Sequence, residues 1–589
     1  MTANTNFATW NPLTKGSRST LKDGNLTLES NTAADLAGCT ATMGITTGKW
    51  YWEIYIHFNG TGYIYAGLSS GYEGGGFYSG YSTLNGMTPS AIRIRQNGTL
   101  HDSSAQDDPD RWGTITLTST NVTSFTDGDI IGFALDYDNK KLWISKNGTF
   151  YNSGNPAGNS NQQASWDGDV PIIYPVLEPY YTGTPNNGGT ANFGQDSSFA
   201  GNKTSGSAAA TDGNGYGDFY YTPPTGFLAL CSANLPTSSD IDPGGANGAD
   251  ENPTKQFGVY TYTGDSGSAV RVSTDFQPDS IWIKNRSATD NHYLQDSSRG
   301  FGNSKSISSN ANGSEGYQGG APSSSGAQSV GSSSFQAYGN DWSKSTNNFI
   351  AWCWKANGGT TASNSEGSIT STVQANPAAG FSIVQYTGTG SNLTMGHGLT
   401  KAPEFMAVKN RDANVDWNVY HVSVGYTKYA KFNSNEAFAE NTSVWNAEPT
   451  TDVINIGNAG TSTNGSGADY VCYAWHGVDG YSRVSTYTGN GNADGPFIFT
   501  GFRPKLVYLK KSSGATAWNV FYSPPKTFNS SANAYLTWDT TDVEANGVPV
   551  DFLSNGFKIR SSGTGVNENG GDFVYGAWGD VPLKYNNTF

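Results

Sequence analysis

The sequence predicts an all-β protein of several domains, and three observations carry that prediction. Aromatic residues make up 13% of the chain, with 16 Trp, 33 Tyr and 28 Phe, and such rings favour pleated, half-buried surfaces. Glycine, at 75 residues, supplies turns together with Asn. No stretch of ten or more residues shows convincing 3.6-residue apolar periodicity between helix caps. At 589 residues the chain exceeds what one core sustains, roughly 250 to 300 residues, so about four domains are expected.

Charged residues reach only 14%, below the roughly 25% usual in globular proteins, so solubility rests on Ser, Thr, Asn and Gly. The net charge of −15 repels a phosphate backbone and leaves no basic footprint, so no nucleic acid partner is expected. Residues 1–17 lack a basic segment followed by an apolar one, and nowhere do eighteen apolar residues run together. Neither a signal peptide nor membrane insertion is expected. Cys39, Cys231, Cys353 and Cys472 lie far apart, without the close pairs of a zinc site or a dense disulfide framework. Cys353 and Cys472 fall inside apolar strand patterns and read as buried free thiols.

Residues 1–236 read as a run of hairpins. Apolar and polar positions alternate in "GKWYWEIYI" (48–56), and short strands recur at "YIYAGL", "AIRIR", "DIIGFALDYDNKKLWISKNGTFY" and "VPIIYPVLEPY". Asp138 and Asn139 mark one turn, and Asn147-Gly148, a strong hairpin dipeptide, marks the next. The phrases "GKWYWEI", "GLS", "GDIIGFALDYDNKKLWISKNG", "IIYPVL" and "ANFGQ" follow one another as in the SPRY domain, a β-sandwich recognition module that residues 5–230 resemble. Gly48, Trp50, Glu53, Asp136, Asn147 and Gly148 are among the matching positions, which in that family mostly maintain the fold.

The resemblance implies binding of proteins or peptides through variable loops at one end of the sandwich. Here those loops are Gly- and Tyr-rich, as at 69–86, with an insertion at 101–113, so no ligand preference carries over. Tyrosine can stack on a sugar or fill a protein pocket while its hydroxyl stays wet. The candidate ligand-binding residues are therefore Tyr72, Tyr78 and Tyr81, with Tyr63 nearby, and Arg93 and Arg95 in the strand "AIRIR". Residues 237–256, rich in Pro, Gly and acids without apolar periodicity, read as a linker.

The rest of the chain repeats itself, giving modules at 257–359, 380–480 and 481–589. "YTG" occurs at Tyr262, Tyr386 and Tyr487, followed by an apolar strand after Pro278, Pro403 and Pro504. Tyr262, Pro278 and Lys284 precede Tyr386, Pro403 and Lys409 by 124, 125 and 125 residues, and those precede Tyr487, Pro504 and Lys510 by 101 each. Each module closes on an aromatic strand, "FIAWCW", "YVCYAW" or "FVYGAW", whose tryptophans Trp354, Trp475 and Trp578 read as core. The expected fold is thus an N-terminal SPRY-like β-sandwich followed by three related β-sandwich or jelly-roll-like modules in series.

No catalytic constellation stands out. Six histidines are scattered without metal-ligand spacing, and no nucleophile elbow or phosphate-binding glycine loop is present, so no catalytic residue, metal or cofactor is expected. The acidic clusters at 106–110 and 238–252 lack the spacing of a calcium loop. No paired-carboxylate groove of a glycan hydrolase is evident.

Phrases such as "GYSRVSTYTGNGNADGPFIFTGFRPKLVYLKK" and "DFLSNGFKIRSSGTGVNENGGDFVYGAW" resemble repeated C-terminal modules of tail-associated phage proteins. That resemblance implies a virion protein, a tail fibre, spike or tip, that binds a host-surface glycan or protein. The alternative is a purely structural virion part, a head decoration, collar or tail connector, whose partners are other virion proteins. A homotrimer is expected, because linked copies raise avidity by about 10² to 10⁴, with the domains of each chain in a row.

Overall fold

In the computed structural model the chain forms two units, residues 1–236 and residues 237–583. The structure describes residues 6–16, 18–30, 38–70, 91–102, 112–118, 122–180, 187–204, 210–236, 252–265, 268–302, 304–318, 321–322, 325–523, 534–547 and 550–579.

The first unit is built by side-chain alternation. One sheet runs Ser19–Lys22, Thr27–Ser30, Gly188–Asn192, Lys49–His57, Ile130–Asp136, Lys141–Lys146, Ala164–Trp166, Ile115–Leu117, and the other runs Cys39–Thr40, Tyr174–Tyr180, Tyr63–Ser69, Ala91–Arg95, Leu100–Asp102. Trp52, Ile54 and Ile56 from the first sheet meet Ile64, Ala66, Leu68, Ile92 and Ile94 from the second in one core, so the intervening residues point outward. The hairpin expected at Asn147-Gly148 forms, with positive φ at both positions (50° and 79°), as a type I′ turn requires. The unit is the two-sheet sandwich that the SPRY resemblance implies.

In the second unit each repeat folds around the same four antiparallel strands. They run Phe257–Thr263, Asn348–Trp354, Ser280–Asn285, His292–Asp296 in the first repeat and Phe381–Thr387, Asp469–Trp475, Phe405–Asn410, Asn418–His421 in the second. In the third they run Ser482–Thr488, Asp572–Gly579, Pro504–Lys511, Asn519–Tyr522. Ala362–Asn364 and Ser371–Asn376, in a stretch the sequence leaves unassigned, extend the second sheet.

The closing strands explain how the modules associate. Phe349, Ala351 and Cys353 face a core private to the first module, while Ile350, Trp352 and Trp354 face a second core. Tyr470, Cys472 and Ala474 against Val471, Tyr473 and Trp475 repeat this division, as do Phe573, Tyr575 and Ala577 against Val574 and Trp578. The second core is common to all three modules. A strand buried on both faces reads as a near-continuous apolar run, as "FIAWCW" does. Trp354, Trp475 and Trp578 pack mutually at 5.7–6.2 Å between ring centroids, with planes 65–80° apart, so ring edges meet ring faces. Thus the three modules, consecutive along the chain, are not separate bodies in a row, because each gives half of its strand faces to the shared core.

Like contacts recur at each seam. Arg411 makes a two-pronged pair with Glu315 of the preceding module (2.5 and 3.3 Å), and the Glu315 N–H donates to the Arg411 carbonyl. Arg286 does the same with Glu544 of the third module (2.6 and 3.0 Å), whose N–H donates to the Arg286 carbonyl, which closes the ring. At the remaining seam Ser512 takes the arginine position, and its carbonyl accepts from the Phe438 N–H. Trp417 and Trp518 donate their indole N–H to Ser308 and Lys431 carbonyls of the preceding module. Lys409 and Lys510 donate to Asn312 and Asn435 carbonyls there, and Lys284, at the matching position, donates to Asn285 and Ala288 of its own module. Burial pushes all three lysines down to about 8.

A heterologous contact that closes after three steps has its symmetry satisfied within one chain. These seams are therefore satisfied without a second copy and give no support to the trimer expected from the sequence, which light scattering tests and the mass of a single chain would refute. A threefold mass would show that further seams form between chains.

Candidate ligand-binding face

The outward face of the second sheet in the first unit gathers polar groups by register alone. Tyr65 lies opposite both Arg95 and Glu178, and Arg93 opposite both Gly67 and His101. Gly67 lets the Ile92–Arg93 backbone approach too closely for any Cβ, and the Arg93 guanidinium forms a buried ion pair with Glu178. Arg93 is 7% exposed and lies 5.2 Å over the Tyr65 ring. Arg95, half-buried, stacks 3.5 Å from the Tyr63 ring, which is 38% exposed, and 5.9 Å from Tyr65. His101 meets Tyr65 edge-on at 5.4 Å.

The face is rich in unused donors. The donors Arg93 Nε and Arg95 Nε are buried without a hydrogen-bond partner, as are one acceptor, Glu178 Oε1, and His101 Nε2, which donates or accepts according to the tautomer. Burial first, and then the Arg93 and Arg95 charges, hold His101 below its usual range, so it is neutral at pH 7. Arg93 is matched by Glu178, whereas Arg95 has aromatic neighbours and no carboxylate partner among the described residues. Among the described residues the face therefore carries one uncompensated cation beside aromatic rings.

Of the residues expected from the sequence, the structure brings Arg93, Arg95 and Tyr63 together. Tyr72, Tyr78 and Tyr81 lie outside the described residues, as do the acidic stretches 106–110 and 238–251. Tyr65, His101 and Glu178 were not among the expected set. All four cysteines are free and buried. Among the described residues no group of three or more His, Cys, Asp or Glu gathers as a metal site would require, and no helix is long and apolar enough to cross a membrane.

The most perturbed carboxylate elsewhere in this unit already has its partners. Burial pushes Glu53 up to about 7, and it accepts from the backbone N–H of Tyr220 and Tyr221, the Tyr51 hydroxyl and Asn192 Nδ2.

A family model described as a domain of unknown function, DUF7483, matches residues 252–582, more than half of the chain. The chain belongs to this family. The DUF7483 match spans all three modules, so the family's domain here is the ring of three with its common core. No curated protein sequence matches the chain. Among solved structures it is similar to the SPRY domain of human HERC1, at 17% identity, covering 31% of this chain and 96% of that one, with a TM-score of 0.21. It is also similar to stonustoxin, at 18% identity over 29% of this chain and 25% of that one (TM-score 0.20). A third likeness is the TRIM65 PSpry domain, at 12% identity over 32% and 88% (TM-score 0.20). The candidate face lies outside the DUF7483 match.

Proposed function

We propose that this protein is a non-catalytic binding component of a phage particle, a tail fibre, spike or tip protein that attaches to a host-surface glycan or protein. The observation that carries the binding role is the outward sheet face where Arg95, without a carboxylate partner among the described residues, stands on Tyr63 beside the unpartnered nitrogens of Arg93 and His101. The strongly perturbed groups favour binding over turnover. Glu53 is held by four hydrogen bonds, and Lys284, Lys409 and Lys510 by backbone carbonyls, so none is poised to move a proton. The particle origin rests on the likeness of the three repeats to tail-associated phage modules.

The full-length protein is expected to adsorb to host cells and, in excess, to slow adsorption of intact particles. Failure to compete, with the protein located by labelled antibody on the head or collar, would overturn this in favour of a purely structural role.

A further inference from the structure

We propose that the Arg93–Arg95 face is a subsite for the carboxylate of an acidic saccharide; this deepens the binding role above and rests on it. The polar groups there offer two unpartnered guanidinium donors against one unpartnered acceptor, with a neutral imidazole nitrogen that serves as either, so the complement is a ligand with more acceptors than donors. Glu178 already balances Arg93, and His101 is neutral, which leaves Arg95 as the one spare charge among the described residues of this face and a monoanion as its match.

The geometry of the donors narrows the anion. A guanidinium presents its Nε and Nη hydrogens as a planar fork, which matches the two coplanar oxygens of a carboxylate. Phosphate polymers and anionic lipid surfaces need several clustered cations, and the −15 charge of the chain opposes them. One forked cation is enough for a single carboxylate.

The surroundings of Arg95 favour a sugar over an acidic peptide. Tyr63 and Tyr65 flank the guanidinium, His101 meets Tyr65 edge-on, and the exposed Tyr63 marks the open edge where an apolar sugar face can lie. Glu178 Oε1, buried and unpartnered, is an acceptor that a hydroxyl satisfies and that a second carboxylate would be repelled by. A carboxylate flanked by hydroxyls on one ring, as in a uronic acid, meets all of these demands. An acidic peptide brings the carboxylate without adjoining hydroxyls.

The test uses the full-length protein with three probes, an oligogalacturonate, its methyl ester and a glutamate-rich peptide, followed by titration calorimetry. Binding of the oligogalacturonate is expected, at least tenfold tighter than either other probe, and weakening as salt is raised from 50 to 500 mM, as roughly expected for an ion pair near the surface. Arg95→Ala should lose at least tenfold in affinity with an unchanged melting temperature, Arg95→Lys should lose part of that because the charge stays and the fork goes, and Tyr63→Ala should weaken binding independently.

Equal binding of the methyl ester, preferential binding of the peptide, or an Arg95→Ala protein that binds as the wild type does would each overturn the proposal. No binding of the oligogalacturonate would overturn it too, while persistent adsorption of the same preparation to host cells would leave the attachment role standing. Loss of cell adsorption with the saccharide still bound would sink the attachment role alone.

Discussion

Trp475→Ala is expected to destabilise the whole ring unit by about 3 to 5 kcal/mol, the usual cost of deleting a large buried aromatic. Its ring contacts Trp354 of the first module and Trp578 of the third, as well as Phe381 and Phe405 of its own. The cavity would therefore open where three sheets meet, and no single module can collapse to fill it. Denaturant unfolding followed by tryptophan fluorescence should show one transition of this unit moving to lower denaturant. Trp445→Ala removes a ring of similar size from the private core of the second module and is the control for a local effect. A shift below about 1 kcal/mol for Trp475→Ala, or an early transition of one module with the others unmoved, would refute a shared core.

Much of the fold was legible because strands report their faces through a period of two. Alternation in "GKWYWEIYI" and "AIRIR", with the Asn147-Gly148 turn, gives the sandwich strands and one of their hairpins. The repeat spacing likewise delivers the modules in register. Their union in a ring was written in the closing strands, whose apolar runs need a partner on both faces. What hid it is that a private sandwich also buries a strand on one face, and aromatic residues on the other face do not name the element that covers them. The seams add little signal, since Ser308, Lys431, Asn312 and Asn435 contribute only carbonyl oxygens. Arg286 and Arg411 recur, but Ser512 breaks the pattern and the paired Glu544 and Glu315 lie in unlike contexts.

The candidate face was half legible. Arginines alternating with isoleucines must point away from the core, which places Arg93 and Arg95 on one face. Glu178 had a usable signal, because a carboxylate inside "VPIIYPVLEPY" stays charged when buried only beside a cation. His101 and Tyr65 join through strand register, which a single sequence does not give across long connections.

Arg299→Ala is the second large expected effect, again about 3 to 5 kcal/mol, because it strands a buried carboxylate. Arg299 is fully buried between the first two modules, where Nε donates to Asp296 at 2.6 Å, Nη1 donates to the Lys305 carbonyl and lies 3.4 Å from Glu315, and Nη2 donates to the Tyr473 hydroxyl. Without it Asp296 retains the Tyr473 hydroxyl as a donor but loses its charge partner. Adding Asp296→Asn should restore part of the loss, since the amide needs no cation. The same network sets an acid limb. Burial alone would raise Glu315, but the hydrogen bond from Arg411 and the charges of Arg299 and Arg411 overcome it and hold the carboxyl at about 2. A depressed acid adds stability above its unfolded value, near 4.5, and loses it as pH falls toward 2, here on the order of 2 kcal/mol after allowance for solvent screening. In Arg299→Ala the Glu315 carboxyl loses one of its two guanidinium charges, so the decline should begin at higher pH. Denaturation midpoints from pH 7 down to pH 2 check both statements. A wild-type midpoint flat through that window, or an Arg299→Ala loss that Asp296→Asn leaves untouched, would mean that these charges do not hold the two modules together.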